Sequence, residues 1–153
     1  MPYKFTPEVT MADVAFKAEG KTLEELFGAC AEAVTITMVK ELESVKRTKK
    51  IKVKIEAKTI ELLLFNFLNE LLFYKDAKQL LFSKYVIKIK KLKGEFTLSA
   101  TLHGEKLNMK KHELIVDVKA VTMHLFEVKR EKITDRRHKR PYTVWKAQVV
   151  LDI

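Results

Sequence analysis

The chain has 153 residues, of which 47% are hydrophobic and 33% charged, and its formal net charge is +10. This balance is typical of a folded domain and excludes an intrinsically disordered chain. No apolar run approaches the roughly 20 residues needed to cross a bilayer, and the N-terminal residues lack an apolar signal core, so we expect neither a membrane protein nor a secreted one.

The single cysteine, Cys30, falls on a predicted apolar helix face. It cannot form an internal disulfide, and we predict a buried, inert thiol in preference to a catalytic nucleophile. This usage fits a reducing compartment, so we predict a cytoplasmic protein. Lys and Glu are abundant while Asn and Gln are scarce, a bias that is typical of hyperthermophile proteins.

The first half of the chain alternates between strand and helix patterns. Residues 11–19 alternate in hydropathy, which predicts a strand with one buried face, ended by Gly20. Thr22 precedes Glu25 by three residues, a capping-box signature, and apolar residues then recur at helical spacing as far as Leu42.

The rest of the chain predicts one more helix and five strands. A second half-buried strand is predicted over 50–57 and a second amphipathic helix over 59–74. The later strands are predicted over 80–92, 96–102, 116–128 and 142–153, with turns at Lys93-Gly94 and at Gly104. This order predicts a single α+β domain over residues 1–153, with two amphipathic helices packed on one face of a largely antiparallel sheet.

Positive charge is concentrated in two runs, residues 46–58 and 129–140. The second run has the pattern of a hairpin tip or an exposed loop. Its arginines could contact phosphates of RNA: Arg130, Arg136, Arg137 and Arg140. The alternative is that these charged runs only solvate the protein surface, and neither run is interleaved with aromatic residues that stack on bases. The charge pattern leaves both interpretations open.

The common catalytic motifs are missing from the sequence. It contains no GxGxxG, GxxxxGK[ST], HExxH or GxSxG pattern, and its four histidines share no metal-ligand spacing, which disfavours a stand-alone enzyme. Asp13 and Asp152, with a terminal carboxylate on Ile153, would offer hard oxygen ligands suited to magnesium, calcium or manganese. Ordinary ion pairs with lysines are the alternative. A metal-dependent hydrolase would also need a general base with suitable neighbours, and the sequence indicates none.

Four motifs, in order, resemble the archease family over nearly the whole chain. They are Met11–Val14 with Gly20–Phe27, Leu63–Leu72, His112 with Val118–His124, and Val150–Ile153. The resemblance implies a non-catalytic accessory protein that activates the tRNA-splicing RNA ligase. It implies that the protein promotes transfer of GMP from GTP to the ligase's active-site histidine, supports multiple turnovers and broadens nucleotide use.

The resemblance also assigns site residues. It implies a divalent metal ion (calcium, or magnesium or manganese) held by Asp13, Asp152 and the carboxylate of Ile153, with Lys119 nearby. The motif that holds Lys119 also holds His112 and His124, which we expect at the partner-facing, activating surface. RNA would then be contacted indirectly, through the ligase. The alternative is a stand-alone basic RNA-binding module that assists RNA processing.

Overall fold

The computed structural model describes residues 2–6, 13–134, 137 and 140–153. Within these ranges the elements are β1 (Tyr3–Phe5), β2 (Asp13–Gly20), α1 (Leu23–Met38), a short 3-10 helix (Leu42–Ser44), β3 (Lys49–Ala57), α2 (Ile60–Lys78), β4 (Leu80–Leu92), β5 (Glu95–Lys106), β6 (Ala120–Ile133) and β7 (Tyr142–Asp152).

The strands form two antiparallel sheets. One has the order β1-β2-β7-β6 and the other the order β3-β5-β4. The predicted α+β class is confirmed, but the strands divide between two sheets where the sequence suggested one. None of the helices in the described ranges combines the length and apolarity that crossing a bilayer requires.

Helix α1 lies between the two sheets and contacts β2 of one and β4 of the other. Its start is capped as predicted, because Thr22 Oγ1 accepts from the Glu25 amide at 3.1 Å and the Glu25 carboxylate accepts from the Lys21 amide at 2.8 Å. Cys30 is fully buried, as predicted, and burial raises the pKa of its thiol. The predicted extension to Leu42 is wrong, since the chain becomes extended at Val39.

Helix α2 carries the predicted apolar stripe. Thr59 caps it by accepting from the Leu62 amide at 3.1 Å. Leu63 and Phe67 are fully buried, and the Phe67 ring stacks on Phe27 of α1 with a centroid separation of 6.0 Å. This contact joins the two helices in one core.

The predicted turn at Gly104 is wrong, because β5 continues through it to Lys106. Strand β4 has a bulge between Phe82 and Lys84, which brings its backbone against Gly104. A Cβ at this glycine would lie 1.8 Å from the carbonyl oxygen of Leu81. Glycine is therefore needed here for a close approach of two strands, whereas the turn at Lys93-Gly94 is confirmed by positive φ angles of 50° and 80°.

Strand β6 begins at Ala120, later than the predicted residue 116, and extends to Ile133. The residues before it, 107–119, are held against the end of α1 by two main-chain hydrogen bonds, from Lys40 N to Glu113 O at 2.9 Å and from Ile115 N to Met38 O at 2.8 Å. These bonds hold Glu113 and Ile115 against the end of α1, and the strand begins only after this segment.

Candidate functional site

Asp13 and Asp152 lie directly opposite each other, where β2 begins and β7 ends. Directly opposed residues of an antiparallel pair project from the same face with Cβ atoms about 4.5–5.5 Å apart. Phe16 and Leu151 point into the core, so strand alternation places both aspartates on the outer face of the sheet. Both are half-buried. The fold therefore brings together two carboxylates from opposite ends of the chain.

Lys119, the residue immediately before β6, lies beside these two aspartates. The Lys119 amide donates to the Asp152 carbonyl at 2.8 Å, and the next residue, Ala120, pairs with Asp152. Lys119 is exposed, and within the described ranges its ammonium makes no ion pair. A cation beside two carboxylates can offset part of their mutual repulsion or pair with an incoming anion.

Ile153 follows Asp152 and is half-buried, with its side chain packed against the core. The three positions predicted as metal ligands are thus neighbours at one sheet edge. Among the described residues, no three His, Cys, Asp or Glu side chains are grouped closely enough to hold a metal ion. The side chains at this edge therefore offer a pair of hard oxygen donors, which suits Mg²⁺, Mn²⁺ or Ca²⁺ better than zinc.

Lys75 of α2 contacts the two residues that precede Lys119, although the sequence analysis did not identify it. Its ammonium donates to the Asp117 carboxylate at 2.6 Å and to the Val118 carbonyl at 2.7 Å, and it pairs with Asp76 at 2.7 Å. The contact with Asp76 is an ion pair, and the other two contacts are hydrogen bonds. They fix the two residues immediately before Lys119. The sequence signal that could have identified Lys75 is its position in the otherwise apolar stripe of α2.

His112 lies within a buried hydrogen-bond network in the segment that precedes β6. Its Nδ1 accepts from the Asn108 amide at 3.0 Å, so the proton must be on Nε2, which lies 3.0 Å from a Glu105 carboxylate oxygen. The side chain is 0% exposed. This position gives His112 a structural contact, and it does not present the ring to a partner.

Glu105 is the acceptor at the centre of that network. Burial opposes its ionisation, but hydrogen bonds from Lys111, from the Lys46 amide and from His112 outweigh burial and lower the pKa of Glu105 to about 2. The carboxylate thereby ties β5 to two loops, one of which leads to Lys119.

His124 lies on an exposed bulge of β6. The pairing with β7 shifts between Thr122 and Glu127, and Leu125 adopts a left-handed conformation with φ 54°. Met123 and Leu125 flank His124 and are both 55% exposed. A strand with this bulge at the edge of a sheet presents a distinct surface, so His124 stands where a partner could reach it.

The predicted arginine group is divided by the structure. Residues 129–133 belong to β6, which corrects the predicted loop over 129–140, and the guanidinium of Arg130 lies 5.8 Å from the centre of the Trp145 ring. The connection between β6 and β7 is therefore shorter than the predicted loop. Arg137 and Arg140 are exposed there, and Arg136 lies outside the described residues.

Comparisons with known proteins agree over almost the full chain. The sequence profile of the archease protein family (MTH1598/TM1083) matches residues 3–153. The protein archease of Pyrococcus abyssi is 38% identical over 142 residues, which cover 93% of each chain. That of Thermococcus kodakarensis is 37% identical with the same coverage.

A solved structure shows the same fold. The solution structure of Methanobacterium thermoautotrophicum protein 1598 matches with a TM-score of 0.77 at 33% identity, and the match covers 99% of both chains. Sequence and structure comparisons therefore place this chain in the archease protein family.

Proposed function

We propose that this protein acts in the cytoplasm as a non-catalytic activator of the tRNA-splicing RNA ligase. Membership of the archease family supports an accessory role in tRNA processing. The observation that carries the finer proposal is the direct pairing of Asp13 with Asp152, beside the backbone of Lys119. These are the residues that the family resemblance assigns to activation.

In this proposal, Asp13, Asp152 and the Ile153 carboxylate hold one divalent cation: magnesium, manganese or calcium. The pairing supports it, because two directly opposed carboxylates on one face supply the hard oxygen donors that these cations bind. Mg²⁺ commonly uses only one or two protein carboxylates and takes its other ligands from water and substrate phosphates. A metal on this edge would supply positive charge for phosphate oxygens at the ligase's nucleotide site.

The chain's own residues would position that charge. The β2–β7 pairing fixes the distance between the two carboxylates, and Lys75 fixes the backbone from which Lys119 projects. Lys119 would then face the phosphates of GTP while GMP passes to the ligase's histidine and pyrophosphate leaves. The covalent step belongs to the ligase, and the bulge that carries His124 would be part of the docking surface. Recognition through phosphates and not through the base would also explain broader nucleotide use.

The functional test is a multiple-turnover ligation assay. The cognate ligase, GTP, Mn²⁺ and a broken tRNA are mixed with the protein below the ligase concentration. We expect ligated product in many-fold excess over ligase, and at most about one equivalent without the protein. Equal product with and without it would refute the proposed activation.

The metal site is tested separately by Mn²⁺ binding, measured from the electron paramagnetic resonance signal of the free ion. We expect Asp13→Asn and Asp152→Asn to abolish binding and a C-terminal tag to weaken it. Glu95→Gln, which changes an exposed carboxylate on the other sheet, is the matched control and should bind like wild type. Binding that survives both aspartate substitutions would place the ion elsewhere.

A further inference from the structure

The outer face of the β3-β5-β4 sheet carries an unusual charge arrangement. Ile51, Val53 and Ile55 of β3 pack against the core, so the intervening residues face outwards. The outward side chains of the two flanking strands are mostly exposed lysines: Lys50, Lys52 and Lys54 on β3, and Lys84, Lys88 and Lys90 on β4. We call this surface the lysine face.

The strand register orders these lysines into two rows around a central row. In the central strand, Ser99 lies between Lys54 and Lys88, and Thr101 lies between Lys52 and Val86. The flanking rows are about 10 Å apart, and successive side chains within a row are about 6.7 Å apart, as strand geometry requires. The result is a shallow groove of about 480 Å³ with hydroxyl groups on its floor and ammonium groups along its sides.

The outer face of the other sheet provides an internal comparison. There Glu127, Lys129 and Glu131 alternate in charge along β6, and Lys146 pairs with Glu131 at 3.0 Å and Lys129 with Glu127 at 3.7 Å. On the lysine face, all of which the structure describes, Lys54–Glu56 at 3.9 Å is the one ion pair. The mixed lysines and glutamates of the first sheet are enough to solvate its outer face. Solvation therefore does not explain the excess of lysines on the lysine face.

An anionic ligand would relieve the repulsion among these lysines. Successive lysines in a row, such as Lys50, Lys52 and Lys54 on β3, are closer than the Debye length of about 8 Å at physiological salt, so their charges repel each other. An acidic protein is a poor match, because protein interfaces are depleted in lysine and anchored by aromatic residues. None of the outward positions of β3, β4 and β5 is Phe, Tyr or Trp. A polar, strongly positive surface is characteristic of nucleic-acid interfaces.

We propose that the lysine face binds the phosphodiester backbone of RNA without regard to base sequence. The 6.7 Å repeat of Lys50, Lys52 and Lys54 on β3 approximates the separation of successive phosphates in an extended strand. The hydroxyl groups of Ser99 and Thr101 can donate to phosphate oxygens between the two rows. His103 is the one aromatic ring at an outward position of these three described strands, and none of those positions is Phe, Tyr or Trp, so backbone contact is the expected mode. This inference does not depend on activation of a ligase.

The test measures binding of a fluorescein-labelled single-stranded RNA by anisotropy over a range of potassium chloride concentrations. The variant Lys52→Gln/Lys54→Gln/Lys88→Gln removes three ammonium groups from the groove. Each lost phosphate contact should reduce the slope of log K against log salt by about 0.7, so the slope should fall by about 2. Affinity should then be about a hundredfold lower at 0.1 M salt, with the two proteins converging towards 1 M.

Two further variants make the result specific. Lys17→Gln/Lys129→Gln/Lys146→Gln removes the same charge from the balanced sheet and should retain most of the affinity. Arg137→Gln/Arg140→Gln tests the hairpin tip and should also have a small effect. Wild-type binding by the lysine-face variant, an equal loss in either control, or binding of polyglutamate in preference to RNA would overturn the proposal.

Discussion

Replacing Lys75 by Met tests the support of the proposed site from within the fold. The side chain of Lys75 is 9% exposed, and its ammonium holds the Val118 carbonyl at 2.7 Å and Asp117 at 2.6 Å. Met has a similar volume and keeps the apolar packing of the stem, so the substitution removes the hydrogen bonds without leaving a large cavity.

The expected loss of stability is dominated by the Val118 carbonyl. Val118 is fully buried, and its carbonyl would lose a charged donor worth about 1.5–3 kcal/mol. The side chains of Asp76 and Asp117 are 60% and 64% exposed, so each ion pair contributes less than about 1 kcal/mol. Met also removes the cost of burying an ammonium group. We expect a net loss of about 2 kcal/mol, or roughly 4–8 °C in Tm for a chain of this size.

The assay is urea and thermal unfolding followed by the fluorescence of the single tryptophan, Trp145. Asp76→Asn is the control, since it removes only an exposed ion pair and should change the free energy of unfolding by less than about 1 kcal/mol. A Tm for Lys75→Met within 2 °C of wild type would refute the reasoning. So would an equally large effect of Asp76→Asn, because the buried carbonyl would then not be the main contribution.

Three further substitutions test other contacts. Because the pKa of Glu105 is about 2 when folded and about 4.3 when unfolded, its contribution to stability is complete above pH 4.3 and is lost as the pH falls towards 2. Glu105→Gln should flatten urea-unfolding free energies over that window, and an unchanged acid slope would contradict the assignment. His112→Ala should lower the free energy of unfolding by about 2–4 kcal/mol, because it leaves the Asn108 amide and Glu105 without their buried partner. A loss under 1 kcal/mol would mean that water replaces the ring. Gly104→Ala should lower stability by about 2 kcal/mol or more, because its Cβ would collide with the Leu81 carbonyl, and a neutral effect would show that the two strands can separate there.

Local sequence signals predicted the helices well because their determinants lie within a few residues. The Thr22 capping box and the apolar stripes are short-range patterns, and both appear in the structure. The Gly104 error has a long-range cause, since only the β4 bulge distinguishes a glycine for close approach from a glycine for a turn. The assignment of strands to two sheets likewise depends on pairings between distant segments.

The site could not be derived from residue patterns alone. Nothing local to Asp13 or Asp152 indicates that they pair, and the family resemblance supplied that expectation. His112 lies in a motif of the resemblance, yet the structure gives it a buried structural contact. Lys75 was overlooked because a buried lysine interrupts a helix stripe without revealing which carbonyl it will meet.

The most direct test of the central claim is the rate at which labelled GMP is transferred from GTP to the ligase. The account predicts that wild-type protein and Glu95→Gln accelerate this transfer equally, while Asp13→Asn and Asp152→Asn, folded and as stable as wild type, give no acceleration. Acceleration by both aspartate variants at the wild-type rate would contradict the claim that the paired carboxylates activate the ligase.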